Sequence, residues 1–141
     1  MSSKDVKQSI RRRIWTLMEE RNIAAFPRPV YGRIPNFKGA VRACERLATL
    51  DIFKRANVVK VNPDSPQRHI RYLALSMGKI VIMPTPRLRQ GFLLLDPAEI
   101  PRREYKRAST IAGAFRWGDL VKPWDLPKVD LVIIGLSLIH I

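Results

Sequence analysis

Apolar residues recur every three or four positions from the start of the chain. Val6, Ile10, Ile14, Leu17 and Met18 mark one stripe of an amphipathic helix over residues 4–22, with Lys7 and Arg11 together on one flank. Pro27 and Pro29 end that pattern. The stretch FPRPVYGRIPNFKGA carries three prolines and two glycines, which predicts an ordered excursion. A second helical pattern covers residues 38–50, with Asn36 placed to cap it and Ala40, Val41, Cys44, Leu47 and Ala48 on its buried face.

The period then alternates. NVVKVN reads as a short strand, and DSPQRHIRYLALSMG as a helix with Ser65 as N-cap, Pro66 at the first helical position and Gly78 just past the end. KIVIMP is the next strand, so strand, helix and strand make a right-handed parallel crossover. GFLLLD reads as a third strand and VDLVII as a fourth. Between these two lie an expected helix near residues 103–107 and an expected loop around residues 113–117. One α/β domain over residues 1–135 accounts for the pattern.

Composition narrows the partners more than the fold. Of 141 residues, 46% are hydrophobic and 27% charged, which is ordinary for a globular chain, but the net charge is +14. That excess attracts phosphates of any kind without choosing among them. The single cysteine, Cys44, excludes an internal disulfide and a cysteine-based zinc cluster, and fits a reducing, cytoplasmic setting. The basic N-terminus lacks the apolar run of a signal peptide, and no stretch reaches the roughly 18 apolar residues of a membrane span, so no membrane partner is expected. His, Cys and acidic residues form no constellation for a nucleophile or a protein-held metal.

KQSIR has a Lys-x-x-x-Arg spacing on the first helix, GKIVIMP joins Gly-Lys to an apolar strand and Pro, and PKVDLVII is a strand leading to a glycine. Taken in order, these blocks resemble the signature helix, the Gly-Lys strand and the strand before the glycine-rich loop of the 5-formyltetrahydrofolate cyclo-ligase (methenyltetrahydrofolate synthetase) family. GRIPNFKGA, VNPDSPQR and MPTPRLRQGFLLLDP look more like a divergent cyclo-ligase-like branch. The resemblance implies a three-layer α/β fold with a mostly parallel sheet, similar to ribose-phosphate isomerases and CoA transferases. It also implies a reaction. ATP, with Mg2+, phosphorylates the formyl oxygen of 5-formyltetrahydrofolate, and ring closure expels phosphate to give 5,10-methenyltetrahydrofolate. By this resemblance Lys7 and Arg11 are the expected ATP contacts.

Other cations are read from position. Arg87 and Arg89 follow the end of a strand, where an anion such as a phosphate or the folate glutamate tail is expected, and a solvated hairpin turn explains them equally well. Arg68 opens the helix after VNPDSPQ and is a further candidate for substrate or phosphate contact. The family's folate-contacting glutamate has no convincing counterpart in VNPDSPQRHIRY, where Asp64 is the nearest carboxylate.

The family's Gly-x-Gly-x-Gly-Tyr-x-Asp loop is replaced here by GLSLIHI. Codons that would encode LSLIHI resemble a transposon end used in sequencing libraries, so residues 136–141 are expected to be translated adapter, with His140 carrying no function; the alternative is a natural apolar C-terminal strand with a core histidine. The chain is then expected to be an inactive fragment of a longer protein. The alternative to a folate-cyclising enzyme is a non-catalytic cyclo-ligase-like domain that binds RNA or other polyanions through its basic surface; Arg102, Arg103, Lys106 and Arg107 around Tyr105 suit such contacts, though a solvated basic face explains them more readily.

Overall fold

The computed structural model describes residues 2–135. The expectation of a translated adapter at 136–141 lies outside the described residues. Five strands form one sheet: β1 (Val58–Val61), β2 (Ile80–Pro84), β3 (Phe92–Leu95), β4 (Asp119–Val121) and β5 (Leu131–Ile133), in spatial order β4-β3-β2-β1-β5. β1 runs parallel to both β2 and β5, while β3 is antiparallel to β2 and to β4. Four strands therefore share one direction, as the mostly parallel reading requires.

Six helices accompany the sheet: α1 (Ser3–Glu20), α2 (Ala40–Ala48), α3 (Asp51–Arg55), α4 (Arg68–Ser76), α5 (Tyr105–Ala108) and α6 (Ile111–Trp117). The core joins Val59, Val61, Val81, Met83, Leu93 and Leu95 from one sheet face to Cys44, Phe53, Ile70, Leu75, Tyr105 and Ala114 from α2 to α6. Alternation along the strands decides which face this is. On β1 the burial runs intermediate, buried, intermediate, buried. The opposite face has Val58, Lys60, Ile80, Phe92 and Leu94 half-buried, Ile82 fully buried and Val132 exposed, and none of them belongs to that core. Among the described residues the helices that share the core, α2 to α6, pack on the other face.

Several local expectations change for stated reasons. α1 carries the apolar stripe, yet Val6, Ile10 and Ile14 are all more than 40% exposed and no residue of the helix is buried. A capping box between Ser2 and Asp5 closes its first turn instead. The proline-rich stretch is ordered against α1: Trp15 Nε1 donates to Arg33 O at 3.2 Å, and the Glu19 carboxylate accepts from Arg28 Nε at 2.9 Å. Asn36 does not cap α2, since its amide donates to Phe26 O and its oxygen accepts from Phe37 N. Gly39, at φ +103°, occupies the N-cap, and the helix ends at Ala48 with α3 following as a separate turn. Ser65 is likewise no N-cap: it begins a 3-10 turn, Ser65–Gln67, and makes no side-chain capping bond.

Residues 103–117, where the pattern predicts a helix near 103–107 and a loop near 113–117, are mostly helical. A 3-10 turn (Arg102–Glu104) leads into α5, and the expected loop is α6, N-capped by Thr110 accepting from Gly113 N at 3.0 Å. β4 then pairs with β3, a strand the pattern did not predict.

Candidate functional site

β1 is flanked by β2 on one side and by β5 on the other, both parallel to it, so the chain leaves β1 in one direction and returns later on the opposite side. Such a reversal opens a crevice beyond the carboxyl ends of the strands, where α/β sheets bind ligands. Here the crevice is an apolar groove of about 500 Å³. Ile14, Trp15 and Met18 of α1 form one wall, Cys44 and Leu47 of α2 another, and Ile133 and Gly135 close the β5 end. The C-terminal half of the α1 stripe, Ile14 and Met18, is therefore one side of this groove, while Val6 and Ile10 lie outside its lining. A larger hollow of about 760 Å³ follows the polar flank of α1, but α1 and Arg21 supply its whole lining and cannot enclose a ligand.

Two buried polar side chains shape the crevice. Gln67, 6% exposed, spans it: with its amide oriented to satisfy both neighbours, it donates to Asp64 O at 3.2 Å and accepts from Gly135 N at 2.6 Å. A Cβ on Gly135 would run into the Gln67 amide, so a larger residue there requires that amide to swing away from its bond. Arg71, 1% exposed, holds the loop after β1 from below. Its Nη1 donates to Asn62 O at 2.6 Å and Asp64 O at 3.0 Å, and its Nε to Ser109 O at 2.8 Å. Burial pulls this guanidinium down to about 10, opposed by the Asp64 carboxylate and assisted by the nearby Arg68 charge. Neither residue was singled out from the sequence.

Cys44 lines the groove but is no nucleophile. Its Sγ donates to Pro66 O at 3.4 Å, and burial pushes the thiol up, so it stays protonated. Lys79, the lysine of the Gly-Lys block, sits at the other end of the sheet. Its Nζ donates to Ala56 O at 2.6 Å and Lys54 O at 2.9 Å, closing the end of α3. Asp130 also works at that end: it accepts from Asn57 N and Val58 N, tying β5 to β1, and those bonds hold it below the usual carboxylate range.

The expected cations do not converge. Arg11 lines the apolar groove and also a neighbouring cavity of about 360 Å³ with Gln8 and Arg33, and its Nη1 donates to Gln8 Oε1 at 3.4 Å. Lys7 lies one turn earlier on α1 and lines none of these cavities. Arg87 sits beyond β2, in a hollow with Lys60 and Asn62, while Arg89 stands exposed outside it. Arg68 opens a separate cavity between α2 and α4. Among the described residues no cluster of three His, Cys, Asp or Glu could hold a metal ion, and no helix is long and apolar enough to cross a membrane.

The sequence model of the 5-formyltetrahydrofolate cyclo-ligase family matches residues 3–137. A methenyltetrahydrofolate synthase domain-containing protein of Bos taurus is 43% identical over 131 residues, covering 92% of this chain and 34% of that protein. Its counterparts are 44% identical over 92% of the chain in Mus musculus, and 41% identical over 93% in Danio rerio, each covering 35% of the relative. The chain thus spans about a third of the length of the curated relatives it matches. No solved structure matches it.

Proposed function

The chain belongs to the 5-formyltetrahydrofolate cyclo-ligase family, and on that premise we propose that the protein carrying it cyclises 5-formyltetrahydrofolate to 5,10-methenyltetrahydrofolate with consumption of ATP. The observation that carries this reading is the apolar groove at the switch point of the sheet, with Arg11 in its lining. The p-aminobenzoyl ring and ring carbons of a reduced folate suit such a slot, its pterin amide and glutamate carboxylates would meet polar groups at the rim, and activating its formyl oxygen needs cationic charge close by and little water.

The roles follow from placement. Trp15, Met18 and Leu47 give the slot its apolar walls and exclude water. Arg11 offers a guanidinium to nucleotide phosphates from the groove's rim, with Lys7 one helical turn away on the same flank. Gln67 and Gly135 hold the loop after β1 against the end of β5, and Arg71 fixes that loop from within. When bound, ATP supplies the phosphoryl group that makes the formyl oxygen a leaving group. Mg2+ would come with the nucleotide, held by its phosphates and water, and would neutralise charge on the transferring phosphoryl group.

The test is ADP formation by the full-length protein in the presence and absence of 5-formyltetrahydrofolate, with methenyl product followed by its absorbance. Folate-dependent ADP formation, reduced at least tenfold by Arg11→Gln, is the expected result. A folded protein that binds ATP yet forms no folate-dependent ADP would overturn the assignment.

A further inference from the structure

We propose that the cavity between α2 and α4 is a second anion site, which takes a small molecule carrying a phosphate or pyrophosphate group. It is distinct from the folate groove: the two cavities share Phe37, Ala40 and Pro66 as a common wall, but Arg11 lines only the groove and Arg68 only this cavity. Its volume is about 450 Å³.

Four cations, Lys38, Arg42, Arg68 and Lys106, line this space, and no carboxylate does. They come from three separate parts of the chain, so sequence proximity does not explain their meeting. Among the described residues none of the four takes part in an ion pair. Arg68 is also near enough to the buried Arg71 guanidinium to act on it unfavourably. Gathering like charges in a concavity is destabilising by itself, and a bound polyanion reverses the sign of that interaction.

Two further groups border the same space. His69 is in its lining, with Nε2 3.6 Å from Glu45 Oε1, which is not. The nine-residue α2 opens onto the cavity with no side-chain cap, and the N-H groups of Val41 and Arg42 have no hydrogen-bond partner among the described residues. A phosphate group suits this set better than a single carboxylate. It presents several acceptor oxygens and close to two negative charges to donors that arrive from different directions. The Tyr72 ring, with Lys106 Nζ 5.6 Å from its centroid, gives the remainder of the ligand an aromatic surface.

Inorganic pyrophosphate titrated into the 15N-labelled chain at constant ionic strength tests the site. The expected result is saturable shifts of the Val41 and Arg42 amides. The double variant Arg68→Gln/Lys106→Gln, checked by its spectrum to be folded, weakens the Kd at least tenfold. Arg102→Gln/Arg103→Gln removes the same charge from the exposed turn before α5 and leaves the Kd within twofold. Equal weakening by both pairs would mean diffuse attraction to a basic surface and overturn the proposal. So would shifts that vanish with Arg11→Gln but persist in the Arg68/Lys106 variant, because the pyrophosphate would then occupy the nucleotide position proposed above.

Discussion

Arg71 shows how far a single side chain can depart from the rule that charge faces water. It lies on α4 beside Ile70, Ala74 and Leu75, all buried, and donates only to backbone carbonyls. Those carbonyls belong to the loop after β1 and to the end of α5, so one guanidinium fastens the floor of the groove to a distant helix. Replacing it by Met keeps most of the volume and leaves the Asn62, Asp64 and Ser109 carbonyls without their donor, costing on the order of 3 kcal/mol. Lys supplies charge but not the fork, and should recover only part of that loss. Urea denaturation of both variants checks the order, with wild type above Lys and Lys above Met; a Met variant as stable as wild type would remove the anchoring role. The sequence could not announce this residue. Periodicity sorts residues by polarity, and a buried arginine satisfied by carbonyls looks the same as a solvated one. Gln67 escaped notice for the same reason, whereas Cys44 was placed correctly because it is apolar and in phase.

At the scale of elements, strands proved easier to read than the segments between them. NVVKVN, KIVIMP, GFLLLD and VDLVII are short apolar runs, and each became a strand in the core of the sheet or beside it. β4 has only three residues and exposed positions at Asp119 and Leu120, so it lacked the apolar signal and depends on pairing with β3. α6 was missed because Gly113 reads as a helix breaker. Its presence there has a packing cause: a Cβ would stand 1.7 Å from Arg107 O, the backbone of α5. Two effects then oppose each other in Gly113→Ala. Helix propensity favours alanine by about 1 kcal/mol, while forcing α5 and α6 apart costs roughly 1–3 kcal/mol. Backbone cannot rotate aside as a side chain can, so the clash wins and the variant loses stability. A thermal melt checks this. A rise in Tm would mean that the two helices separate without cost.

For the whole molecule, the net charge of +14 was plain from composition, but where it acts was not. The structure divides it. Arg11, Arg68 and Arg87 face three different cavities, and only three ion pairs stand among the described residues. Most of the excess is therefore uncompensated and repels itself across the surface. Long-range repulsion of this kind depends on screening: the Debye length falls from about 30 Å at 0.01 M salt to about 8 Å at 0.15 M. Short hydrogen bonds such as those of Arg71 and Lys79 are insensitive to that change. Tm should accordingly rise as NaCl is increased from 0.01 to 0.15 M, and then level off once the screening length is shorter than the spacing between clusters. Pyrophosphate compared with NaCl at equal ionic strength separates screening from occupancy, since a bound ligand adds stability beyond the screened value, and the part of that gain lost with Arg68→Gln/Lys106→Gln belongs to the cavity between α2 and α4. A Tm that falls with NaCl would show that attractive pairs outweigh the net repulsion, and that the basic excess is locally balanced after all.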